Sequence, residues 1–139
     1  MINITLDFDK RFEGKIPDAA TYPGIYAVWA YKDEGGDSKW VLLDVGQAKN
    51  MADRHATHER KPQWLKYAKD NAMKLIYYTA EINNDHNYRD IAEAALIYNF
   101  QPKCPTDGKE GYHHEDVKVS VIGYLQKAFG EFTVRNTDK

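Results

Sequence analysis

Two apolar segments, Gly24 to Tyr31 and Trp40 to Val45, are separated only by Lys32 to Lys39, and this arrangement constrains the fold more than any other feature. The first reads Gly-Ile-Tyr-Ala-Val-Trp-Ala-Tyr, a β-branched and aromatic run that suits a buried strand. The connection holds Gly35-Gly36 flanked by charge, as a turn between antiparallel strands does. Trp40 to Val45 is then the return strand. Gly46 ends it, and Asn50 is an N-cap candidate for a helix running to about Glu59.

The rest of the chain alternates between strand and helix patterns. Ile2 to Phe8 alternates as a strand, and Gly14 to Thr21 is a loop punctuated by Gly, Pro and Asp. Pro62 fits the first turn of a second helix, whose apolar side is Trp64, Leu65, Tyr67 and Ala68. Met73 to Ile82 reads as a third core strand, followed by a polar break over Asn83 to Asn87. Tyr88 to Phe100 is the clearest helix, ending before Gln101-Pro102 because the residue preceding proline disfavours the α region. Beyond Pro105, Val117, Val119 and Val121 alternate like a strand. Tyr124 to Phe129 suits a short helix and Phe132-Thr133-Val134 an edge strand. These elements predict one domain over residues 1–139 of the α/β (α+β) class, with a small central mixed or antiparallel sheet flanked by helices.

Composition narrows the setting. Hydrophobic content of 42% and eighteen aromatic residues provide for a packed core within 139 residues. A single cysteine, Cys104, has no internal disulfide partner, and no apolar run reaches membrane-spanning length. The N-terminus reads as a strand, not a signal peptide, so a soluble cytoplasmic protein is expected. The net charge of −2 argues against a nucleic-acid partner on its own, but the distribution is uneven. Lys49 to Lys74 holds seven basic residues against three acidic ones, a net of +4. The plain alternative for such a run is a solvated helical face.

The order of these motifs, Pro23-Gly24-Ile25-Tyr26, Asp44-Val45-Gly46, Arg54 on the next helix and Ile91-Ala92-Glu93-Ala94 on a later one, resembles the core of the GIY-YIG nuclease family. The resemblance spans roughly Tyr22 to Pro105 and leaves an N-terminal strand and a C-terminal extension outside it. It implies a divalent-metal-dependent endonuclease acting on DNA, with one Mg²⁺ or Mn²⁺ held by Glu93. Arg54 would meet the charge that develops on the phosphate, and Tyr26 would help to activate or position the attacking water. His58, one helical turn after Arg54, is a candidate proton carrier or phosphate contact, with His55 behind it. Gly24 and Gly46 would let the backbone bend or let substrate approach closely. Lys49 and Lys61, from the basic segment, would contact substrate.

Glu93 also stands out without the family. It is the only charged residue from Ile91 to Phe100, and its neighbours on the helix face are Leu96, Ile97 and Phe100. A carboxylate there needs an ion pair, hydrogen bonds or a cation. A hard cation sharing its oxygen shell with water and substrate phosphate suits a single carboxylate.

Two departures from the family pattern bear on activity. Asp44 stands where a tyrosine is expected. It would act as a general base or second metal carboxylate, pair with Arg54 in a fold without catalysis, or face solvent as an ordinary strand residue. Cys104, in Pro102-Lys103-Cys104-Pro105, stands where the family often has asparagine. The alternative function is therefore a catalytically degenerate module that binds nucleic acid or a protein partner without cleavage. Tyr112-His113-His114-Glu115-Asp116 has the residue types of a metal site but not the spacing.

Overall fold

The computed structural model describes residues 1–83, 85–104 and 107–138. It is an α+β arrangement of seven strands in two sheets with four helices. The strands are β1 (Ile2–Phe8), β2 (Lys10–Glu13), β3 (Gly24–Glu34), β4 (Asp37–Ala48), β5 (Lys74–Glu81), β6 (Val117–Gly123) and β7 (Glu131–Val134). The helices are α1 (Met51–Ala56), α2 (Lys61–Asp70), α3 (His86–Phe100) and α4 (Gln126–Phe129).

The hairpin that the apolar runs predict is the spine of the larger sheet. β3 and β4 pair antiparallel from Gly24↔Ala48 to Glu34↔Asp37, and β5 lies along the other side of β3, giving the antiparallel order β2-β5-β3-β4. Gly35 and Gly36 make the turn with φ of 60° and 92°, a region that glycine enters without steric cost. β2 has no counterpart in the sequence reading, which left Asp9 to Glu13 unassigned. Its four residues, alternately half-buried and exposed, carry too weak a pattern to read locally, and pairing with β5 is what makes them a strand.

The α+β class with a small antiparallel sheet flanked by helices is as expected, and a second, three-stranded sheet joins it. β1 runs parallel to β6, which pairs antiparallel with β7. The N-terminal strand and the C-terminal extension, unrelated in the sequence reading, are thus neighbours in one small sheet. Side-chain alternation then divides the interior. Ile25 and Ala27 point to a core shared with α3, β1 and β6, whereas Tyr26, Val28 and Ala30 point to a second core under α1 and α2 with Trp64 and Tyr77.

Helix boundaries follow their caps. Asn50 caps α1, its side chain accepting from the Asp53 N–H, but α1 stops at Ala56 and not at Glu59. The chain from Thr57 to Arg60 turns inward instead, and this delivers His58 and Arg60 to the site. Pro62 lies in the first turn of α2. Asp85 caps α3 by accepting from the Tyr88 N–H, and Gln101 closes that helix in the left-handed region at φ 50°. Among the described residues no helix is long and apolar enough to cross a membrane, and Cys104 is a free thiol.

Candidate functional site

A bulge in β4 builds the centre of the site. The β3–β4 register shifts between Val28 and Trp29, so that Val28 faces Asp44 and Trp29 faces Leu42, with Leu43 as the extra residue. Past the bulge, Asp44, Gly46 and Ala48 lie on the α1/α2 side of the sheet. Asp44 is fully buried there. Its carboxylate accepts from Arg60 Nε at 2.6 Å, from an Arg60 terminal nitrogen at 3.3 Å and from Trp64 Nε1 at 2.9 Å. Burial pushes this carboxyl above its ordinary range, and the Arg60 and Trp64 donors offset part of the rise. Asp44 is therefore neither solvent-facing nor the partner of Arg54. Both its oxygens are committed to donors of the protein, which leaves no lone pair directed at substrate or a second cation.

Tyr26 lies directly across from Gly46 in the β3–β4 register. A methyl group at Gly46 would stand 2.0 Å from the Tyr26 hydroxyl and 2.2 Å from ring carbon Cζ. Gly24 is tight in the same way: a Cβ there would stand 2.0 Å from the Ala80 carbonyl oxygen. Both glycines are buried, and the close approach expected of substrate is made by the protein's own groups. The Gly-Ile-Tyr and Asp-Val-Gly elements are thus one interlocked unit.

The Tyr26 hydroxyl is hydrogen-bonded to His58 Nε2. The Arg60 backbone N–H donates to His58 Nδ1 at 3.0 Å, so Nδ1 is the unprotonated nitrogen and Nε2–H is the donor to tyrosine. Burial, with the charges of Arg54 and Arg60, drives the His58 pKa down to about 4, so the ring is neutral near pH 7. Burial also pushes the Tyr26 phenol well above its ordinary value; Asp44 and Glu93 reinforce this, while Arg54 and Arg60 oppose it. His58 holds Tyr26 in place, with neither ring nitrogen free for a phosphate.

Arg54 is half-exposed at the mouth of this pocket. Glu59 accepts from its two terminal nitrogens at 2.7 and 3.0 Å, and this bidentate grip holds the Glu59 carboxyl down at about 2. The same arginine lines an open cleft of about 410 Å³ with Gln47, Lys49, Asn50, His86 and Arg89. Lys49 thus stands beside Arg54. Lys61 does not line that cleft; it opens α2 near His55, whose pKa is lowered first by burial and then by the Lys61 charge. His55 is buried against Tyr77, ring centroids 4.8 Å apart, as a packed core residue.

Glu93 reaches the site around the edge strand β4. It is half-buried, and Gln47 Nε2 donates to it at 3.4 Å and to Asp90, one turn earlier on α3. Burial and the nearby Asp90 charge raise the Glu93 carboxyl above its ordinary range, while Gln47 opposes the rise. Two carboxylates bridged by one amide suit a hard divalent cation, whose charge would relieve their repulsion. Among the described residues no group of three or more His, Cys, Asp or Glu is arranged to hold a metal ion, so water and substrate oxygens would complete any such shell. The His113–His114 segment is tied down otherwise: His113 Nδ1 pairs with Asp138 at 2.6 Å, and the buried Tyr112 donates to the Glu115 carbonyl.

Cys104 sits beside the bulge. Its backbone N–H donates to the Leu43 carbonyl at 2.6 Å and its thiol to Gln63 at 3.3 Å. Pro105, which closes the expected motif, lies outside the described residues. Sequence reasoning passed over Arg60, Trp64, Gln47, Asp90 and Arg89. Of these only Asp90, one turn from Glu93 on the same helix, carried a local signal; the others take their positions from long-range contacts. Comparison with protein-family models, curated proteins and solved structures finds no match to this chain.

Proposed function

We propose that the chain hydrolyses phosphodiester bonds in DNA with the help of one divalent metal ion. The observation that carries this reading is the convergence of a held tyrosine, an arginine and a half-buried carboxylate at one end of a strand pair: the charges of Arg54 and Glu93 both act on the Tyr26 hydroxyl. Water would attack phosphorus as the bond to the leaving sugar oxygen breaks. Tyr26 would serve this step while neutral. His58 Nε2–H occupies one lone pair of its oxygen and Arg54 lies against the other, so the O–H is the group that would orient the water or meet a phosphate oxygen. Arg54 would transfer its fork from Glu59 to the non-bridging oxygens, where negative charge builds. Glu93, with Asp90, would hold Mg²⁺ or Mn²⁺, whose chemistry is Lewis-acid stabilisation of phosphate and leaving-group charge.

One observation favours the runner-up, a module that binds nucleic acid or a protein partner without cutting. Asp44 occupies the second motif position as half of a buried ion pair, where it supplies structure and no free functional group. Supercoiled plasmid incubated with wild type, Glu93→Gln and Tyr26→Phe, in Mg²⁺ and then Mn²⁺, separates the two. Nicking by wild type that EDTA abolishes, and that both variants lose by on the order of 10²-fold or more, supports hydrolysis. Salt-sensitive DNA binding without nicking supports the non-cutting module, and nicking that survives Glu93→Gln removes the metal role.

A further inference from the structure

Arg89 is the anomaly of the molecule. It sits on the inward face of α3, one turn before Glu93, and is only 4% exposed. Among the described residues its side chain makes no hydrogen bond or ion pair, and its Nε is buried with no partner. The other buried ion at the site, Asp44, is matched by Arg60 and Trp64, and the half-buried Glu93 accepts from Gln47. A guanidinium is always charged, and withdrawing part of it from water without a counter-charge is destabilising. Core packing does not explain the choice, because a methionine or leucine would fill the volume at no such cost.

The surroundings show what would compensate it. Arg89 lines the open cleft of about 410 Å³ together with Lys49, Arg54 and His86. The one carboxylate lining that cleft is Asp53, which is exposed. Arg54 is already bonded to Glu59 and His86 to Asp90, at 3.3 Å. Arg89 is thus a preformed, unopposed fork inside a cation-rich cleft. Its terminal N–H groups offer a phosphate paired donors in fixed geometry.

We infer that Arg89, assisted by Lys49, binds a backbone phosphate of the nucleic-acid strand adjacent to the phosphate met by Arg54. The identity of the strand as substrate rests on the hydrolytic reading; the phosphate site itself does not. Arg89 sets the register of the strand, and its lone buried charge is retained at a cost to stability that the bound phosphate offsets.

The test is anisotropy titration of a fluorescein-labelled 20-mer DNA duplex in EDTA at several salt concentrations. The proteins are wild type, Arg89→Gln, Arg89→Lys and the control Lys127→Gln, which removes the same charge from a surface pocket that shares no lining residue with the cleft. Arg89→Gln is expected to weaken binding about tenfold and to reduce the salt slope by about one. Arg89→Lys should recover part of that loss, and Lys127→Gln should stay within about twofold of wild type. Thermal unfolding of Arg89→Gln should match or exceed that of wild type, since an unpaired buried charge is removed. Wild-type affinity and salt slope in Arg89→Gln overturn the assignment, as does a large fall in melting temperature shared by Arg89→Gln and Arg89→Lys. A melting temperature raised by inorganic phosphate in wild type, without duplex binding, would overturn the strand as ligand. Plasmid nicking separates the two readings. If wild type nicks while Arg89→Gln binds normally, the phosphate site fails alone; if wild type does not nick yet Arg89→Gln binds weakly, the site stands and hydrolysis fails.

Discussion

Gly46→Ala is the substitution whose cost the structure specifies best. The φ of Gly46 is outside the left-handed region, so alanine is conformationally permitted and the whole penalty is steric. The new Cβ would lie 2.0 Å from the Tyr26 hydroxyl, 2.2 Å from Cζ and 2.7 Å from Cε2. Tyr26 is 3% exposed, and its backbone is paired to β4 on one side and β5 on the other. His58 and Trp64 close in its ring, with centroids 5.6 and 6.3 Å away. The ring must move, and the bond to His58 breaks when it does. Overpacking of this kind costs about 1–3 kcal/mol, and leaving a buried hydroxyl and imidazole unmatched adds about 1–3 kcal/mol. A total of about 2–6 kcal/mol is a large share of the stability of a single domain. Urea unfolding followed by tryptophan fluorescence measures it, with Trp64 as a local reporter. Tyr26→Phe should not relieve the clash, because Cζ and Cε2 remain in the way. Tyr26→Leu should, so Gly46→Ala is expected to cost at least about 1 kcal/mol less in that background. A Gly46→Ala protein within about 0.5 kcal/mol of wild type, or an equal cost in the Tyr26→Leu background, would refute the interlock.

Three further outcomes follow from the same geometry. Asp44→Ala leaves Arg60 without its carboxylate and the Trp64 N–H without an acceptor, and should destabilise by about 3–5 kcal/mol in urea unfolding; Asp44→Asn, which can still accept from Trp64, should cost less. His55 and His58 each hold a pKa of about 4 in the folded protein against an ordinary value of 6.5. The unfolded chain therefore takes up protons first, and stability should fall as pH drops from about 6.5 to about 4, by up to about 1.4 kcal/mol per pH unit per histidine. A flat urea midpoint across that window would show that the rings are not held neutral. Glu59→Gln removes the exposed competitor for Arg54. Because the pair is at the surface, stability should change by less than about 0.5 kcal/mol, while affinity for a DNA duplex should rise about threefold; unchanged affinity would show that Arg54 does not hand its fork from Glu59 to phosphate.

The hairpin, the Asn50 cap, the proline-started helix and the apolar face of α3 were all readable locally. Each is written in residues close together in the chain: a two-residue alternation, a capping side chain three residues from its N–H, a glycine pair at a turn. Tyr26, Arg54 and Glu93 are separated in sequence, and the fold brings the charges of Arg54 and Glu93 to act on the Tyr26 hydroxyl. The role given to His58 was not legible, because its tautomer depends on a backbone N–H that points at Nδ1 only once α1 ends early at Ala56. The placement of Lys61 beside His55, away from the cleft that Lys49 lines, was also beyond local pattern.

What the sequence determined by itself is therefore the identity of the elements and the set of reactive side chains offered. Only the tertiary structure decided which groups meet. One extra residue at Leu43 turns Asp44 inward, so that a strand carboxylate becomes the buried partner of Arg60, sixteen residues away. The two chain ends, each unexplained alone, satisfy each other's backbone as β1 and β6. Arg89, an unremarkable helical arginine in sequence, becomes a buried charge without a partner among the described residues only where α3 meets the end of β4 and α1. Periodicity and capping are short-range and survive in the linear code. Register, bulges and charge matching depend on contacts between distant segments, and burial is what gives those contacts their energy.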